Sequence, residues 1–355
     1  MQKNMKRLAN MMRYRRAHNT VGERVFIKKF ILPYNPTVFR DPLTQDILAF
    51  VVDVADENNV VPPMLWSCHV DTVHTVEDSN KDYMQTVLYD DECGLFYKDD
   101  GKPLGADDAA GVWLLMEMID AGVPGSYIFH RGEERGGIGS GGMADHHAEW
   151  LSGFKYAVAF DRRGDTSIIT EQSGGVCASN EFALAFGDLI NGYKPDFLDL
   201  HPDPTGIFTD TANYRRIIPE CTNISVGYDS EHTASEMLDA VFLSTLRDAV
   251  VGVFKDSTTI TSLPVKRDPH ARDPEYDWSG YGRYEVASGI DYDDLYDKRY
   301  SKRGHRVRAP QSAEDIVGMR FQELVEWVES DDAANVADIL TMLAEDLVYN
   351  TNTIN

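Results

Sequence analysis

The chain has 355 residues, 43% of them apolar, enough for one large domain or two and for a sizeable core, which excludes a protein disordered throughout. Its formal charge of −24, from 34 Lys and Arg against 58 Asp and Glu, disfavours a phosphate backbone or an anionic lipid surface, so no nucleic acid is expected as a partner. Cys68, Cys93, Cys177 and Cys221 stand singly without C-x-x-C spacing; they indicate neither a zinc ribbon nor a disulfide framework, and reduced thiols in a cytoplasm are expected.

The N-terminus, MQKNMKRLANMMRYRRAH, is basic and lacks the apolar core and cleavage site of a signal peptide, so a weakly amphipathic surface helix is expected. Thr20 and Glu23 form a T-x-x-E capping box that opens a second helix toward Pro33. Strands are expected at 47–54 and 64–70. After a loop rich in acidic and aromatic residues, Val112, Leu115, Met116 and Ile119 mark a helix over 108–121. A strand at 126–131, a Gly-rich turn, a short helix and a strand at 155–161 follow, then a helix at 179–192, a strand at 221–228 and a long amphipathic helix at 234–255. The alternation predicts an α/β fold of parallel β/α units. No apolar run approaches the roughly 20 residues of a membrane span, so no membrane partner is expected.

Composition changes beyond this region. Residues 1–260 are expected to form the main α/β domain. Residues 261–311, rich in Pro, Gly, Asp, Arg and Tyr, read as an extended or disordered linker. Residues 312–355 carry two helical patterns, one through Ile316, Met319, Leu324, Val325 and Val328 and one through Val336, Ile339, Leu340, Leu343 and Leu347. They read as a helical hairpin, too small to be comfortable alone; it is expected to dock on the main domain, on a protein partner or on another copy. The basic cluster Lys298, Arg299, Lys302, Arg303, Arg306 and Arg308 is read as neutralised by acids or solvated rather than as a nucleic-acid contact. The Tyr- and Asp-rich run 276–296 is an alternative recognition segment.

Metal-ligand residue types recur in order: His69 and Asp71 in WSCHVDTV, Asp107 in PLGADDAAG, Glu133 and Glu134 in RGEERGG, Asp161 in AVAFDRRG and His232 in SVGYDSEHTASE. Most follow or end an apolar run, and open α/β sheets gather their chemistry at the carboxyl ends of strands. Two histidines and three carboxylates suffice for two zinc ions, or cobalt or manganese, if one carboxylate bridges, and Asp107 at a strand-to-helix turn suits that role. Asp71 can accept the second imidazole N–H of His69 and fix its tautomer. Because successive side chains of an extended backbone diverge, one of the Glu pair should ligate and the other stay free; Glu134 is taken as the ligand and Glu133 as the general base.

Taken together, HVD, GADDAAG, GEE, FD and EHTASE resemble the co-catalytic di-zinc exopeptidases of peptidase clan MH, over roughly residues 15–256. The resemblance implies a three-layer sandwich with a central, mostly parallel mixed sheet flanked by helices. It implies that His69 and Asp161 hold one zinc, Glu134 and His232 the other, and Asp107 both, with Asp108 following a cis peptide. It further implies cleavage of a peptide bond by a metal-bridging hydroxide with a glutamate base. Asp161, where deacylases usually carry Glu, and a stretch from Asp161 to His232 too short for a lid domain point to a lidless, single-domain aminopeptidase acting on short peptides. An N-acyl amino acid amidohydrolase is the alternative, and a catalytically silent scaffold of the same fold a further one.

Arg162 and Arg163 depart from the family pattern of small residues; they either contact a substrate carboxylate or pair with surface acids. Asp210 in GIFTDTANY resembles a stretch near the substrate pocket, so Arg162 and Asp210 are the candidate substrate-binding residues. His74 is read as pocket mouth or loop, His130, His146 and His147 as positions away from the site, and Ser173 lacks the partnering base of a nucleophile.

Overall fold

A computed structural model describes residues 3–271 of the chain. The expected hairpin at 312–355, the basic cluster and most of the expected linker lie outside the described residues. Among the described residues the strands are β1 Thr37–Arg40, β2 Ile47–Val54, β3 Met64–His69, β4 Leu88–Asp90, β5 Leu95–Tyr97, β6 Gly125–His130, β7 Tyr156–Arg162, β8 Ser167–Ile169, β9 Glu171–Gln172, β10 Gly175–Val176, β11 His201–Asp203, β12 Glu220–Ser225, β13 Tyr228–Asp229 and β14 Met237–Asp239. The α-helices are α1 Lys3–Met12, α2 Val21–Phe26, α3 Val76–Lys81, α4 Ala106–Ala121, α5 Ile138–His146, α6 Ala148–Leu151, α7 Asn180–Asn191, α8 Ala240–Phe254 and α9 Ser257–Ser262.

The central sheet has eight strands in the order β1-β2-β6-β3-β7-β12-β8-β11. Its middle is parallel, β6 to β3, β3 to β7 and β7 to β12, while β1, β2 and the β12–β8 junction run antiparallel. Side chains of these strands alternate between two cores, as a period of two requires. Met64, Trp66, Cys68, Tyr127, Phe129, Tyr156, Val158 and Phe160 pack on the face covered by α1, α4, α7 and α8. Leu65, Ile128 and Ala157 pack on the other face, against Met143 of α5, Leu151 of α6 and Tyr214. This is the three-layer α/β sandwich expected from the sequence.

Several elements differ from their expected form. The capping box holds, with Thr20 Oγ1 accepting from the Glu23 N–H, but the Glu23 carboxylate accepts from the N–H of Asn19 and grips Arg131 instead of closing on Thr20. Helix α1, expected at the surface, buries Met5, Leu8, Met11 and Met12. The segment expected as a bare loop contains β4 and β5, which join β13 and β14 in a second, four-stranded sheet. Consequently the helix expected from 234 begins only at Ala240, capped by Asp239, whose carboxylate accepts from the N–H groups of Val241 and Phe242. Its apparent first turn is spent on β14.

Residues 261–267, placed in the linker, run along the body: Lys266 and Arg267 donate backbone N–H groups to Glu220, and Tyr156 donates its hydroxyl to the Leu263 carbonyl at 2.6 Å. All four cysteines are unpaired, Cys68, Cys177 and Cys221 buried and Cys93 exposed. No helix among the described residues is long and apolar enough to cross a membrane.

Candidate metal centre

Five elements deliver the ligand candidates to one crevice at the carboxyl ends of the central strands. His69 is the last residue of β3, Asp161 lies near the end of β7, Glu133 and Glu134 follow β6, Asp107 opens α4 and His232 sits in the loop between β13 and β14. His69 Nε2 lies 3.0 Å from Asp107 Oδ1 and 3.4 Å from Asp161 Oδ1. His232 Nε2 lies 3.1 Å from Asp107 Oδ2 and 3.2 Å from Glu134 Oε2. The two oxygens of Asp107 thus face two different imidazoles, the arrangement a bridging carboxylate requires.

Whether these residues fit a metal pair is a question of spacing and chemistry. A tetrahedral zinc with arms of about 2.0 Å sets its ligand atoms roughly 3.3 Å apart, and the four separations above fall around that value. His69, Asp107 and Asp161 form one cluster and Asp107, Glu134 and His232 another, each with its donor atoms within 4.8 Å of one another. Glu134 Oε1 is buried without a hydrogen-bond partner among the described residues, an orphan that an ion would satisfy. The donor set is imidazole and carboxylate, which zinc, cobalt and manganese all accept.

The local backbone explains how the side chains arrive. Gly132, at φ +76°, turns the chain out of β6 into a short 3₁₀ turn at Glu133–Arg135. The Glu pair therefore does not stand on an extended backbone, as the sequence argument assumed, and donor atoms of Glu133, Glu134 and His69 all come within 4.8 Å of one another. Only Glu134 also reaches His232. Asp71 organises this turn: its Oδ1 accepts from the N–H groups of Gly132 at 2.8 Å and Glu133 at 3.2 Å, and its Oδ2 from that of Glu134 at 3.3 Å. His69 Nδ1 lies 3.1 Å from the Asp71 carbonyl and 3.7 Å from its carboxylate, so the partner that orients this ring is the main chain of Asp71 rather than the side chain expected from the sequence.

Asp107–Asp108 is a cis peptide. The Asp108 carboxylate ties the site to its supports, accepting from the N–H of His69 and from that of Gly111. A Cβ on Gly111 would stand 2.2 Å from the Phe160 carbonyl; only glycine lets α4 lie this close to β7. Asp161 is held by Tyr228, whose hydroxyl donates to its Oδ1, by Thr209, whose hydroxyl donates to its Oδ2, and by Asn223, which grips its backbone from both sides.

Sequence reasoning missed two supports. Glu236, buried inside the EHTASE motif, accepts from the N–H groups of Gly105 and Asp107 and so fixes the bridge from behind; a carboxylate four residues after His232 was the available signal. Arg16 is fully buried, donates to the carbonyls of Val70 and Gly105, and lies over the Phe26 ring. Burial pulls its pKa down to about 10, against the pull of Asp108, Glu236, Asp71 and Asp107, so it stays charged at neutral pH. Nothing in a basic N-terminal run marks one arginine as internal.

The charges respond to this crowding. Burial alone would pull the His69 imidazole down, but Asp161 and Asp107 raise it well above its ordinary value. Hydrogen bonds to Asp107 and Glu134 push His232 up to about 11. Burial pushes the Glu134 carboxyl up to about 7 and raises Glu133 well above the carboxylate range.

The remaining candidates fall differently. Arg162 lines the cavity beside the cluster. Asp210 does not: it is 1% exposed, on a 3₁₀ turn that directs its carboxylate inward, with Oδ2 3.2 Å from His130 Nδ1 but outside hydrogen-bonding alignment. Burial pushes this acid up to about 8. Ile207 and Phe208, just before it, are the lining residues. His130 is buried and neutral, pulled down to about 3 by burial, and meets the Tyr214 hydroxyl at 2.6 Å. His74 is likewise buried, between Thr72 and the Pro103 carbonyl. His146 lies 3.7 Å from Asp41 and His147 donates its Nε2–H to the Arg40 carbonyl, both away from the cluster.

The fold and the cluster together define a class, an α/β protein of the zinc-exopeptidase fold. Among solved structures the chain is similar to the aminopeptidase PepT from Bacillus cereus, with 14% identity, a TM-score of 0.57 and coverage of 71% of this chain and 97% of that one. It is also similar to a tripeptidase from Staphylococcus aureus, at 14% identity and TM-score 0.55 over 72% of this chain and 97% of that one. An aminopeptidase from Desulfurococcus kamchatkensis matches at 11% identity and TM-score 0.51 over 74% and 97%. No protein-family model matches the chain, and no curated protein matches it.

Proposed function

We propose that the protein is a di-metal peptidase of the aminopeptidase type, with zinc, or cobalt or manganese, held by His69 and Asp161 on one side, Glu134 and His232 on the other, and Asp107 between. The observation that carries the reading is the split of the Asp107 carboxylate between His69 and His232 at 3.0 and 3.1 Å. Bound divalent cations at such a site supply Lewis acidity toward a carbonyl and lower the pKa of coordinated water.

The chain's own residues do the rest. Glu133, off the bridging cluster but within reach of it, accepts a proton from water and returns it to the leaving amine. Asp71 holds the Glu133 and Glu134 backbone in place, and Arg16, Asp108 and Glu236 hold the two strand-end loops. The stretch between β7 and β13 is taken up by β8 to β12, α7 and a 3₁₀ turn of the same compact unit, with no separate lid domain, which supports the aminopeptidase reading over the N-acyl amino acid amidohydrolase.

The metal-loaded protein should release anilines from aminoacyl anilides and leave N-acetylated amino acids intact; hydrolysis of the acylated set alone would overturn the aminopeptidase reading. Glu133→Gln should retain its metal and lose about 10²–10⁴-fold in kcat. Full turnover by that variant would remove Glu133 from the reaction.

A further inference from the structure

The crevice beside the cluster is a cavity of about 410 Å³. It is lined by the acidic cluster together with Arg162, Gln172, Ile169, Ile207 and Phe208. Two arginines border it. Arg163 is half exposed and already engaged, with Nη1 3.3 Å from Glu231. Arg162 is different: its side chain is only 16% exposed, and its Nε is buried with no acceptor among the described residues.

The contacts Arg162 does make are long. Nη2 reaches the Thr205 hydroxyl at 3.3 Å and carbonyl at 3.5 Å, and the nearest carboxylate, Asp203 Oδ2, stands 3.8 Å away. These engage Nη2 weakly and leave the Nε–H of the fork unused. An N–H left buried without an acceptor costs desolvation that a native site normally recovers through a ligand. A guanidinium whose Nε–H is unpartnered and whose Nη2 is held only by long contacts matches the geometry of a carboxylate better than that of any neutral group. The apolar surface of Ile169, Ile207 and Phe208 beside it suits a short aliphatic stem.

We propose that Arg162 reads a carboxylate on the substrate, an assignment that rests on the metallopeptidase reading for the reaction but not for the binding. Two sources offer this group: the side chain of an acidic N-terminal residue, and the C-terminal carboxylate of a dipeptide. Arg162 lines the same cavity as Asp107, Glu134, Asp161 and His232, so the recognised group sits in the crevice that would hold the scissile bond in either case. The overall charge of −24 makes the local cation more, not less, necessary, since an anionic substrate otherwise meets a repelling surface.

The test uses the full chain loaded with zinc. For the first source, kcat/KM is compared for glutamyl and glutaminyl anilides; for the second, for Leu-Ala and its C-terminal amide. One of these charged-to-neutral ratios should be about tenfold or more in the intact protein and should collapse toward one in Arg162→Gln, with only partial recovery in Arg162→Lys, which keeps the charge and loses the fork. Calorimetric titration of the zinc-loaded Glu133→Gln protein, with and without Arg162→Gln, against glutamate and glutamine and against Leu-Ala and Leu-Ala-amide gives a second readout that does not depend on turnover.

Ratios near one for both pairs with Arg162 in place, in rate and in binding, overturn the proposal while leaving the peptidase reading standing. Unchanged ratios in Arg162→Gln do the same. Turnover confined to N-acetylated amino acids, with a carboxylate preference lost in Arg162→Gln, overturns the aminopeptidase reading and sustains the role of Arg162.

Discussion

Asp71 binds three consecutive backbone N–H groups, those of Gly132, Glu133 and Glu134, and through them places both members of the Glu pair. Removing its carboxylate leaves buried donors unpaired and frees the turn, so Asp71→Ala should weaken zinc binding about 10–100-fold, the scale expected when groups supporting ligands are lost. Competition titration against a chromogenic chelator measures this; affinity within twofold of the unmodified chain would mean that the turn holds itself. A second expectation concerns protons. His69 and His232 are both raised above the ordinary imidazole value by surrounding carboxylates, so each carries a proton at neutral pH that a cation must displace. Zinc binding should release protons, and affinity should climb as pH rises. Calorimetric enthalpies that vary with the ionisation heat of the buffer would bear this out; buffer-independent enthalpies and a flat pH dependence would contradict it.

At the scale of elements, the sequence was most legible where one physical signal dominated. Buried strands β3, β6 and β7 read as apolar runs because both faces of the sheet are covered, and α4 read as a helix from its stripe. Legibility failed where tertiary pairing outweighed local pattern. Residues 234–239 share the apolar spacing of the helix that follows, yet β14 pairs with β5 and β13, and β4 and β5 are three-residue strands of one hairpin that joins the sheet only through β5 and the distant β14. The placement of the α8 cap is directly testable. Asp239→Ala should cost about 1 kcal/mol in urea unfolding, as expected for an N-cap. A neutral or stabilising result would instead fit a helix that continues through this position toward 234.

For the molecule as a whole, the order of the motifs along the chain was enough to predict the convergence, because parallel β/α units return every strand end to the same edge. The supports were only partly legible: Glu23 read as half of a capping box but not as the partner of Arg131, and Arg16 lies in an N-terminal run that composition alone describes as a basic surface, though it is buried against Val70 and Gly105 far along the chain. Asp210 was misplaced for a related reason, since a motif locates a residue near a pocket without saying which way its side chain turns.

The central claim is that His69, Asp107, Glu134, Asp161 and His232 hold a pair of cations through one shared carboxylate. Equilibrium dialysis of the full chain against zinc, followed by elemental analysis, addresses it most directly. Two ions per chain in the intact protein, with both sites weakened together in Asp107→Ala, is the predicted result. Fewer than one ion per chain, or a stoichiometry that Asp107→Ala leaves unchanged, would contradict the account.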